Sequence, residues 1–220
     1  MRLLSRYLLD PADRHALRWT DTYSLHRIVY ALFDDVRGED KQDSSGILFA
    51  DKGVRQGVNQ VIILSDRPPR APQWGTLETR SLPESYLQAE RYAFEVIVNP
   101  VRRENRSGRI VPVRGREAIA DWFCGHGPGW GFAVEESSLQ VTDVQVDRFR
   151  KGDATATIAR ATLTGELTVT EREAFVRAAC QGIGRARAFG CGLLQIVPLE
   201  HFAFEKGKMR GGSTAPPGRK

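Results

Sequence analysis

The chain has little cysteine and no long apolar segment. Its 220 residues include only three cysteines, Cys124, Cys180 and Cys191, which form neither a Cys-x-x-Cys pair nor a regular series. A structural zinc site or a disulfide framework is therefore not expected. No apolar run reaches the roughly 18 residues of a membrane span, and the first residues, MRLLSRYLLDPADR, lack the apolar region of a signal peptide. We expect a cytoplasmic protein that does not associate with a membrane.

Signatures of nucleotide cofactors are also missing. The glycine-rich segment QGIGRARAFGCGLL, residues 181–194, has Arg187 where the fingerprint G-x-G-x-x-G requires its third glycine, and it contains no G-K-[ST]. One interpretation is a helix C-cap followed by a tight turn. The other is a phosphate-binding loop, in which backbone amides stand beside the guanidinium groups of Arg185 and Arg187. Neither a cofactor nor a metal is expected.

Positive charge is concentrated in two segments. Residues 206–220 carry five basic side chains and no acid, which equals the formal net charge of +5, so residues 1–205 sum to zero. The second segment, VRRENRSGRIVPVRGR at residues 101–116, has six arginines against Glu104. Of the 32 basic residues 26 are arginine, the side chain that suits bidentate phosphate contacts and base stacking. The bias indicates nucleic-acid binding or, alternatively, only a GC-rich genome.

The order of hydrophobic patterns predicts an α+β protein. In the first half, LLSRYLLD reads as a strand, residues 21–33 as a helix, ILFA and VIILS as paired strands and TLETRSL as an edge strand. The proline-rich RPPRAPQWG between them has room for at most a short helix. Thr20 or Asp21 can cap the helix.

The second half repeats this order more clearly. RYAFEVIVNP is a predicted strand, REAIADWFC a helix, LQVTDVQVDRF and DATATIARATLTGEL a hairpin across RKGD, TEREAFVRAACQ a helix capped by Thr170, and GLLQIVPL the last strand. The β-α-β-β-α-β order is the ferredoxin-like unit. We predict two such domains in tandem, at residues 1–88 and 89–200, with the glycine-rich loop before the last strand. Residues 201–220 are predicted to be disordered.

The helix at residues 21–33 carries the most informative pattern. Leu25, Ile28, Val29, Leu32 and Phe33 have the spacing of one buried face. At roughly 100° per residue, Tyr23, His26, Arg27 and Tyr30 share the opposite face. A solvated surface needs neither tyrosine nor histidine, so this face is a candidate site.

Three motifs together resemble a known family. They are TDTYSLHRIVYALF near the start, VNPVRR in the middle and GIGRARAFGCGLL near the end. In this order they resemble the CasE (Cse-type, type I-E) subfamily of CRISPR-associated repeat-processing endoribonucleases, members of the RAMP superfamily. The resemblance covers nearly all of residues 1–200.

The resemblance implies both an activity and its residues. Members of the subfamily cut precursor CRISPR RNA at the base of each repeat hairpin without a metal, by attack of the substrate's 2′-hydroxyl, and leave a 2′,3′-cyclic phosphate and a 5′-hydroxyl. The family's tyrosine and histidine correspond to Tyr23 and His26, and its basic hairpin to the RKGD hairpin. Members usually retain the cleaved hairpin and act inside a larger surveillance complex.

The chemistry of the residues agrees with this assignment. Imidazole has an ordinary pKa of about 6.5, which suits proton transfer from the 2′-hydroxyl and to the leaving 5′-oxygen. Tyr23, one turn earlier, could hold the scissile phosphate, and Arg27 could offset charge on the phosphorane. The third participant stays open between Arg27, Ser24 and Lys151.

Two groups of arginines are candidate RNA contacts. Arg148, Arg150 and Lys151 precede the predicted hairpin turn, where they could reach phosphates along an A-form stem. The other surface comprises Arg102, Arg103, Arg106 and Arg109. For any single arginine a solvated position is an equal alternative. Two functions rival cleavage: a subunit that only holds the RNA hairpin, and an unrelated small-molecule enzyme of the same fold.

Overall fold

The N-terminal half is a four-stranded antiparallel sheet with two helices. The computed structural model describes residues 2–35, 45–151 and 154–199. The first elements are β1 (Arg2–Leu9), α1 (Pro11–Ala16), α2 (Thr22–Tyr30), β2 (Ile47–Arg55), β3 (Val58–Ser65) and β4 (Thr76–Leu82). The strand order is β2-β3-β1-β4, which places the predicted edge strand β4 at the edge.

No helix joins β3 to β4, where a full ferredoxin-like unit has its second helix. Residues 66–75, between β3 and β4, contain no helix. Pro68, Pro69 and Pro72 lie there, and each lacks the backbone N–H that a helix interior needs. Helix α1 was not predicted, because six residues are too few to show a helical period.

The C-terminal half contains the complete order. Its elements are β5 (Arg91–Val98), β6 (Val101–Arg103), β7 (Ile110–Pro112), α3 (Arg116–His126), β8 (Phe132–Val134), β9 (Gln140–Lys151), β10 (Ala154–Val169), α4 (Arg172–Gln181) and β11 (Gln195–Pro198). The main sheet has the order β11-β5-β10-β8, and β9 also pairs with β10. The α+β class with ferredoxin-like strand order in both halves is confirmed.

Three apolar clusters hold the fold together. One lies under each sheet, and Tyr7, Phe49, Tyr92, Phe123 and Phe175 are at most 1% exposed within them. The third joins Leu48 and Leu64 of the N-terminal sheet to Ile97, Cys191 and Leu193 of the C-terminal half. The two sheets therefore share core, while the domain boundary after residue 88 stays a prediction.

The N-termini of α2 and α4 are capped by carboxylates that accept hydrogen bonds from first-turn amides. Asp21 caps α2: its carboxylate accepts from the Ser24 amide, and the Ser24 hydroxyl binds the Asp21 amide in return. The predicted cap Thr170 of α4 is wrong. Glu171 occupies that position, because its longer carboxylate reaches the amides of both Glu173 and Ala174.

Some of the predictions concern residues that lie outside the described part of the chain. The turn residues 152 and 153 and the predicted disordered tail, residues 201–220, lie outside the described part of the chain. The same holds for the side chain of Lys151, although its backbone ends β9.

Candidate active site

The polar face of α2 is packed against other elements rather than open to solvent. The five predicted core residues are at most 8% exposed, but only Leu25, Ile28 and Val29 lie in α2, because the helix ends at Tyr30 and Leu32 and Phe33 follow it. On the opposite face Tyr23, His26 and Tyr30 are half-buried and Arg27 is exposed. The sequence pattern suggested a surface helix, but the glycine-rich loop and β9 cover part of this face.

A main-chain hydrogen bond fixes the orientation of His26. Its Nδ1 lies 2.7 Å from the carbonyl oxygen of Ala188 in the glycine-rich loop. A carbonyl oxygen only accepts, so Nδ1 donates and carries a proton in either charge state of the ring. A proton that the ring gains or loses is therefore gained or lost at Nε2. This is the tautomer that a general acid-base histidine acting through Nε2 requires.

Aromatic rings from α2 and the glycine-rich loop lie around the imidazole, and a ring from β9 packs behind them. The His26 ring lies 6.0 Å from Tyr23, 4.2 Å from Tyr30 and 5.5 Å from Phe189, measured between ring centroids. Phe149 of β9 stacks on Tyr23 at 6.0 Å with an interplanar angle of 2°, and lies 5.0 Å from Phe189. Helix α2, strand β9 and the glycine-rich loop thus meet in one aromatic cluster that includes His26.

The backbone of the glycine-rich loop needs its glycines. Gly192 has a φ of +83°, and a Cβ there would overlap the carbonyl oxygen of Ile183. That region of φ is open to glycine but strained for other residues. The amide of Gly192 donates to Ile97 and its carbonyl accepts from Ile183, so the loop is tied to β5 and closed on itself. These contacts bring the Ala188 carbonyl to His26.

The two arginines of this loop differ in position. Arg187 donates to the carbonyl oxygen of Gln181 at 2.8 Å and so caps the end of α4. Arg185 is exposed beside Gly184, where a Cβ would meet open space. The helix C-cap interpretation describes the end of α4, where Gly182 is the C-cap and Arg187 binds the last carbonyl, whereas phosphate binding by Arg185 and Arg187 stays a prediction.

The arginines of β9 lie on the other side of the hairpin from His26. Side chains alternate along a strand: buried Phe149 contacts Tyr23, whereas Arg148 lines a cleft of about 590 Å³. Exposed Val144 and Val146 line the same cleft. Arg150 lies two residues after Arg148, on the same face of β9, and is exposed.

The second predicted arginine group borders this cleft. Arg102, Arg103, Arg106 and Arg109 are all exposed on the β6–β7 hairpin and its turn. Val101 and Ile110 of this hairpin form part of the cleft wall. The structure therefore brings the two arginine groups towards one cleft, separated from His26 by the thickness of the β9–β10 hairpin.

Sequence reasoning missed a polar linkage beside the site. The Thr22 hydroxyl donates to Asp147 Oδ2 at 2.6 Å, and the guanidinium of Arg160 donates to the same oxygen at 2.9 Å. Arg160 is only 8% exposed. Phe149 and Phe189 were missed as well. The alternation of β9 could have placed Asp147 and Phe149 on one face, but not against α2.

The described part of the chain contains neither a metal-ligand cluster nor a membrane-spanning helix. Within residues 2–35, 45–151 and 154–199, no group of three or more His, Cys, Asp or Glu side chains could hold a metal ion. In the same ranges no helix is long and apolar enough to cross a bilayer.

The comparisons identify the class to which this fold and site belong. Residues 3–198 match the model of the family described as CRISPR associated protein, and the chain belongs to that family. Among curated proteins it is similar to CRISPR-associated endoribonuclease Cse3 of Thermus thermophilus. The two are 23% identical over 219 residues, which covers 89% of this chain and 99% of Cse3.

Solved structures show the same fold. Thermus thermophilus Cse3 bound to an RNA representing a pre-cleavage complex superposes with a TM-score of 0.76 at 19% identity, covering 90% of this chain and 99% of that one. A chain of a CRISPR RNA-guided surveillance complex in its pre-nicking state superposes with a TM-score of 0.67 at 20% identity, covering 90% and 100%.

Proposed function

We propose that this protein is a metal-independent endoribonuclease that cleaves precursor CRISPR RNA at the base of repeat hairpins. Family membership and similarity over almost the whole length of Cse3 support the substrate class. The observation that carries the chemistry is the 2.7 Å bond from His26 Nδ1 to the Ala188 carbonyl. It holds one histidine in a defined tautomer where α2, β9 and the glycine-rich loop meet.

The proposed reaction is an internal transesterification. The 2′-hydroxyl loses its proton and attacks the adjacent phosphorus, the bond to the 5′-oxygen breaks, and that oxygen takes up a proton. The products are a 2′,3′-cyclic phosphate and a 5′-hydroxyl. Because the RNA supplies its own nucleophile, no metal-activated water is required.

His26 moves the protons through Nε2 in this proposal, as base, as acid, or as both in succession. Tyr23 orients the scissile phosphate or the attacking hydroxyl from the neighbouring turn of α2. Arg27, exposed on the same face, offsets negative charge on the phosphorane. Ser24 is a poor third participant, because its hydroxyl is already bonded in the cap of α2.

The arginines are assigned to RNA binding. Arg148, Arg150 and Lys151 are proposed to contact the stem from the β9–β10 hairpin. Arg102, Arg103, Arg106 and Arg109 extend that contact along the cleft, and Arg185 and Arg187 add phosphate contacts from the glycine-rich loop. The protein would retain the mature hairpin and join other subunits of a surveillance complex in the cytoplasm.

The second candidate function is a crRNA-hairpin-binding subunit that does not cleave. The exposed arginines would serve it equally well. It would not require a histidine held in a single tautomer beside a stacked tyrosine, and that observation favours the enzyme.

The test is incubation of purified protein in EDTA with a labelled hairpin RNA carrying the repeat of its own CRISPR locus. A matched RNA has a 2′-deoxy nucleotide at the cut site. Cleavage of the first RNA to a cyclic-phosphate product, with the second bound but intact, is the expected result. Binding of both RNAs without cleavage would support the non-cleaving subunit, and cleavage of the 2′-deoxy RNA would exclude the proposed chemistry.

A further inference from the structure

A hydrogen-bonded linkage joins the first turn of α2 to the hairpin strand β9. The Thr22 hydroxyl donates to Asp147 Oδ2 at 2.6 Å, across 125 positions of sequence. The same oxygen accepts from Arg160 at 2.9 Å. The linkage thus connects the N-terminal half, which carries Tyr23 and His26, to the hairpin that carries Arg148 and Arg150.

The Asp147 end of this linkage is held firmly. The side chains of Asp147 and Arg160 are 19% and 9% exposed, so their ion pair lies largely out of solvent. Asp147 is opposite Ile158, one cross-strand pair from the Arg148–Thr157 pair. The positive charge of Arg160 also acts on Asp51 of β2, where it lowers the pKa of that carboxyl against the larger effect of burial. A carboxylate anchored in this way cannot follow Thr22 if the helix moves.

A second contact between α2 and β9 lies next to this hydrogen bond. Thr22 is followed by Tyr23, and Asp147 is followed two residues later, on the same strand face, by Phe149. Phe149 stacks on Tyr23 with an interplanar angle of 2°. Two neighbouring helix residues therefore meet two neighbouring positions of one strand face, which fixes both the distance and the rotation of α2 against the hairpin.

Formation of α2 itself does not depend on Thr22. The helix is capped by Asp21 and Ser24, and its apolar face is buried in the N-terminal core. What the Thr22 hydroxyl adds is a link to the other half of the molecule. Its contribution is to placement of the helix rather than to its existence.

We infer that Thr22 and Asp147 are positioning residues that hold the α2 face, with Tyr23 and His26, in register with the hairpin that grips the RNA stem. This inference rests on the proposed function. The scissile phosphate is placed by the hairpin and the reacting side chains are placed by α2, so a shift between the two elements separates them. Small misplacements of reacting groups cost large factors in rate.

The direct test is Thr22→Val, which keeps the shape of the side chain and removes the hydroxyl. The measurements are the single-turnover cleavage rate at saturating repeat-hairpin RNA, the Kd for that RNA and the thermal midpoint. We expect the rate to fall about tenfold or more, with Kd and midpoint close to wild type. Thr22→Ser, which restores the hydroxyl, should recover most of the rate.

The matched control is Thr142→Val. Thr142 lies on the same strand as Asp147, and its hydroxyl also makes a long-range bond, to the carbonyl of Thr162 at 3.2 Å. This variant should cleave like wild type. In a His26→Ala background, Thr22→Val should cause no further slowing, because residues acting through one catalytic group are not additive.

Three results would overturn the inference: an unchanged rate in Thr22→Val, an equal loss in Thr142→Val, or a loss that Thr22→Ser does not recover. If the wild-type protein cleaves no RNA, the proposed function fails, and NMR of the free protein still tests the linkage. The ring resonances of Tyr23 and Phe149, which stack across the same contact, should then shift in Thr22→Val but not in Thr142→Val. Unchanged resonances in Thr22→Val would contradict the linkage itself.

Discussion

At the level of single residues, the orientation of His26 decides the chemistry available to the site. The Ala188 carbonyl holds Nδ1 as a donor, and Nε2 is left as the atom at which protonation changes. The periodic pattern around His26 was enough to predict its place on the face opposite the core. Its hydrogen-bond partner lies 162 positions away, and no local pattern predicts a contact of that separation.

Tyr23 provides a test of the hydroxyl alone. Tyr23→Phe keeps the ring that stacks on Phe149, so folding and RNA affinity should be preserved. If the hydroxyl orients the reacting groups, single-turnover cleavage should slow by about tenfold or more. Tyr30→Phe is the comparison, because the Tyr30 hydroxyl bonds Ser45 at 2.9 Å. Equal rates in the two variants would remove Tyr23 from the chemistry.

Asp51 gives a prediction about pH and stability. Burial raises the pKa of its carboxyl above the ordinary 3.8, and a hydrogen bond from Gly53 and the charge of Arg160 offset this only in part. A folded-state pKa above the unfolded value means that stability is lost as pH rises through the folded pKa. Asp51→Asn cannot ionise, so this loss of stability should disappear. The amide oxygen of the new side chain can still accept from the Gly53 amide.

The expected result is a higher thermal midpoint for Asp51→Asn than for wild type at pH 7, with the gap closing as the pH falls towards 3.8. Asp143→Asn, at an exposed position, should show no such gap. A lower midpoint for Asp51→Asn at pH 7 would mean that its ionised form is stabilising.

At the level of elements, the glycine-rich loop supplies the main-chain carbonyl that orients His26, which neither α2 nor β9 provides. It closes over His26 from the far end of the chain and is tied to β5 through Gly192. The sequence predicted a loop here, but not its role, since Arg185 and Arg187 drew attention to phosphate binding. The contact with His26 comes from the backbone of Ala188.

Two glycines of this loop form a matched pair. Gly184 and Gly192 both have positive φ, +67° and +83°. At Gly184 a Cβ would meet nothing within 4 Å, whereas at Gly192 it would overlap the Ile183 backbone. Gly184→Ala should cost roughly 1–2 kcal/mol of unfolding free energy, from the left-handed backbone alone.

Gly192→Ala should cost more than Gly184→Ala and should also slow cleavage, because the loop must shift at His26. Urea unfolding of the two variants, followed by single-turnover rates, makes the comparison. Equal losses of stability would show that the loop adjusts without cost.

Helices differ in how far local pattern predicts them. Helix α2 follows from its apolar period and its cap. The proline-rich residues 66–75 form no helix, as the missing N–H groups allow one to anticipate. The cap of α4 is Glu171 and not Thr170, because the Glu171 carboxylate reaches two amides of the first turn in the folded structure.

At the level of the whole molecule, two ferredoxin-like halves share core residues and meet at the site. The repeated strand order could be predicted from sequence because each strand carries its own local signal. The meeting of α2, β9 and the glycine-rich loop could not, since it depends on how the two sheets pack. The sequence identified both arginine groups. Only the folded structure shows that they lie on the opposite side of the β9–β10 hairpin from His26.

This arrangement predicts a division between binding and catalysis. Arg148→Gln should weaken hairpin binding and reduce the dependence of log Kd on log salt by about one. The cleavage rate at saturating RNA should change little. Arg91→Gln, at an exposed arginine paired with Glu166 near the other end of β10, should leave both quantities unchanged. A salt dependence that Arg148→Gln does not alter would show that this side chain contacts no phosphate.

His26 is proposed as the acid-base residue of an RNA-cleaving site, and a comparison of two histidine variants tests that role. His126 offers a matched control: its Nδ1 also lies 2.7 Å from a main-chain carbonyl, that of Trp122, and its ring packs against two tryptophans. Single-turnover cleavage of the repeat hairpin should collapse in His26→Ala and persist in His126→Ala, with RNA affinity retained in both. Wild-type rates in His26→Ala would place the active site elsewhere in the molecule.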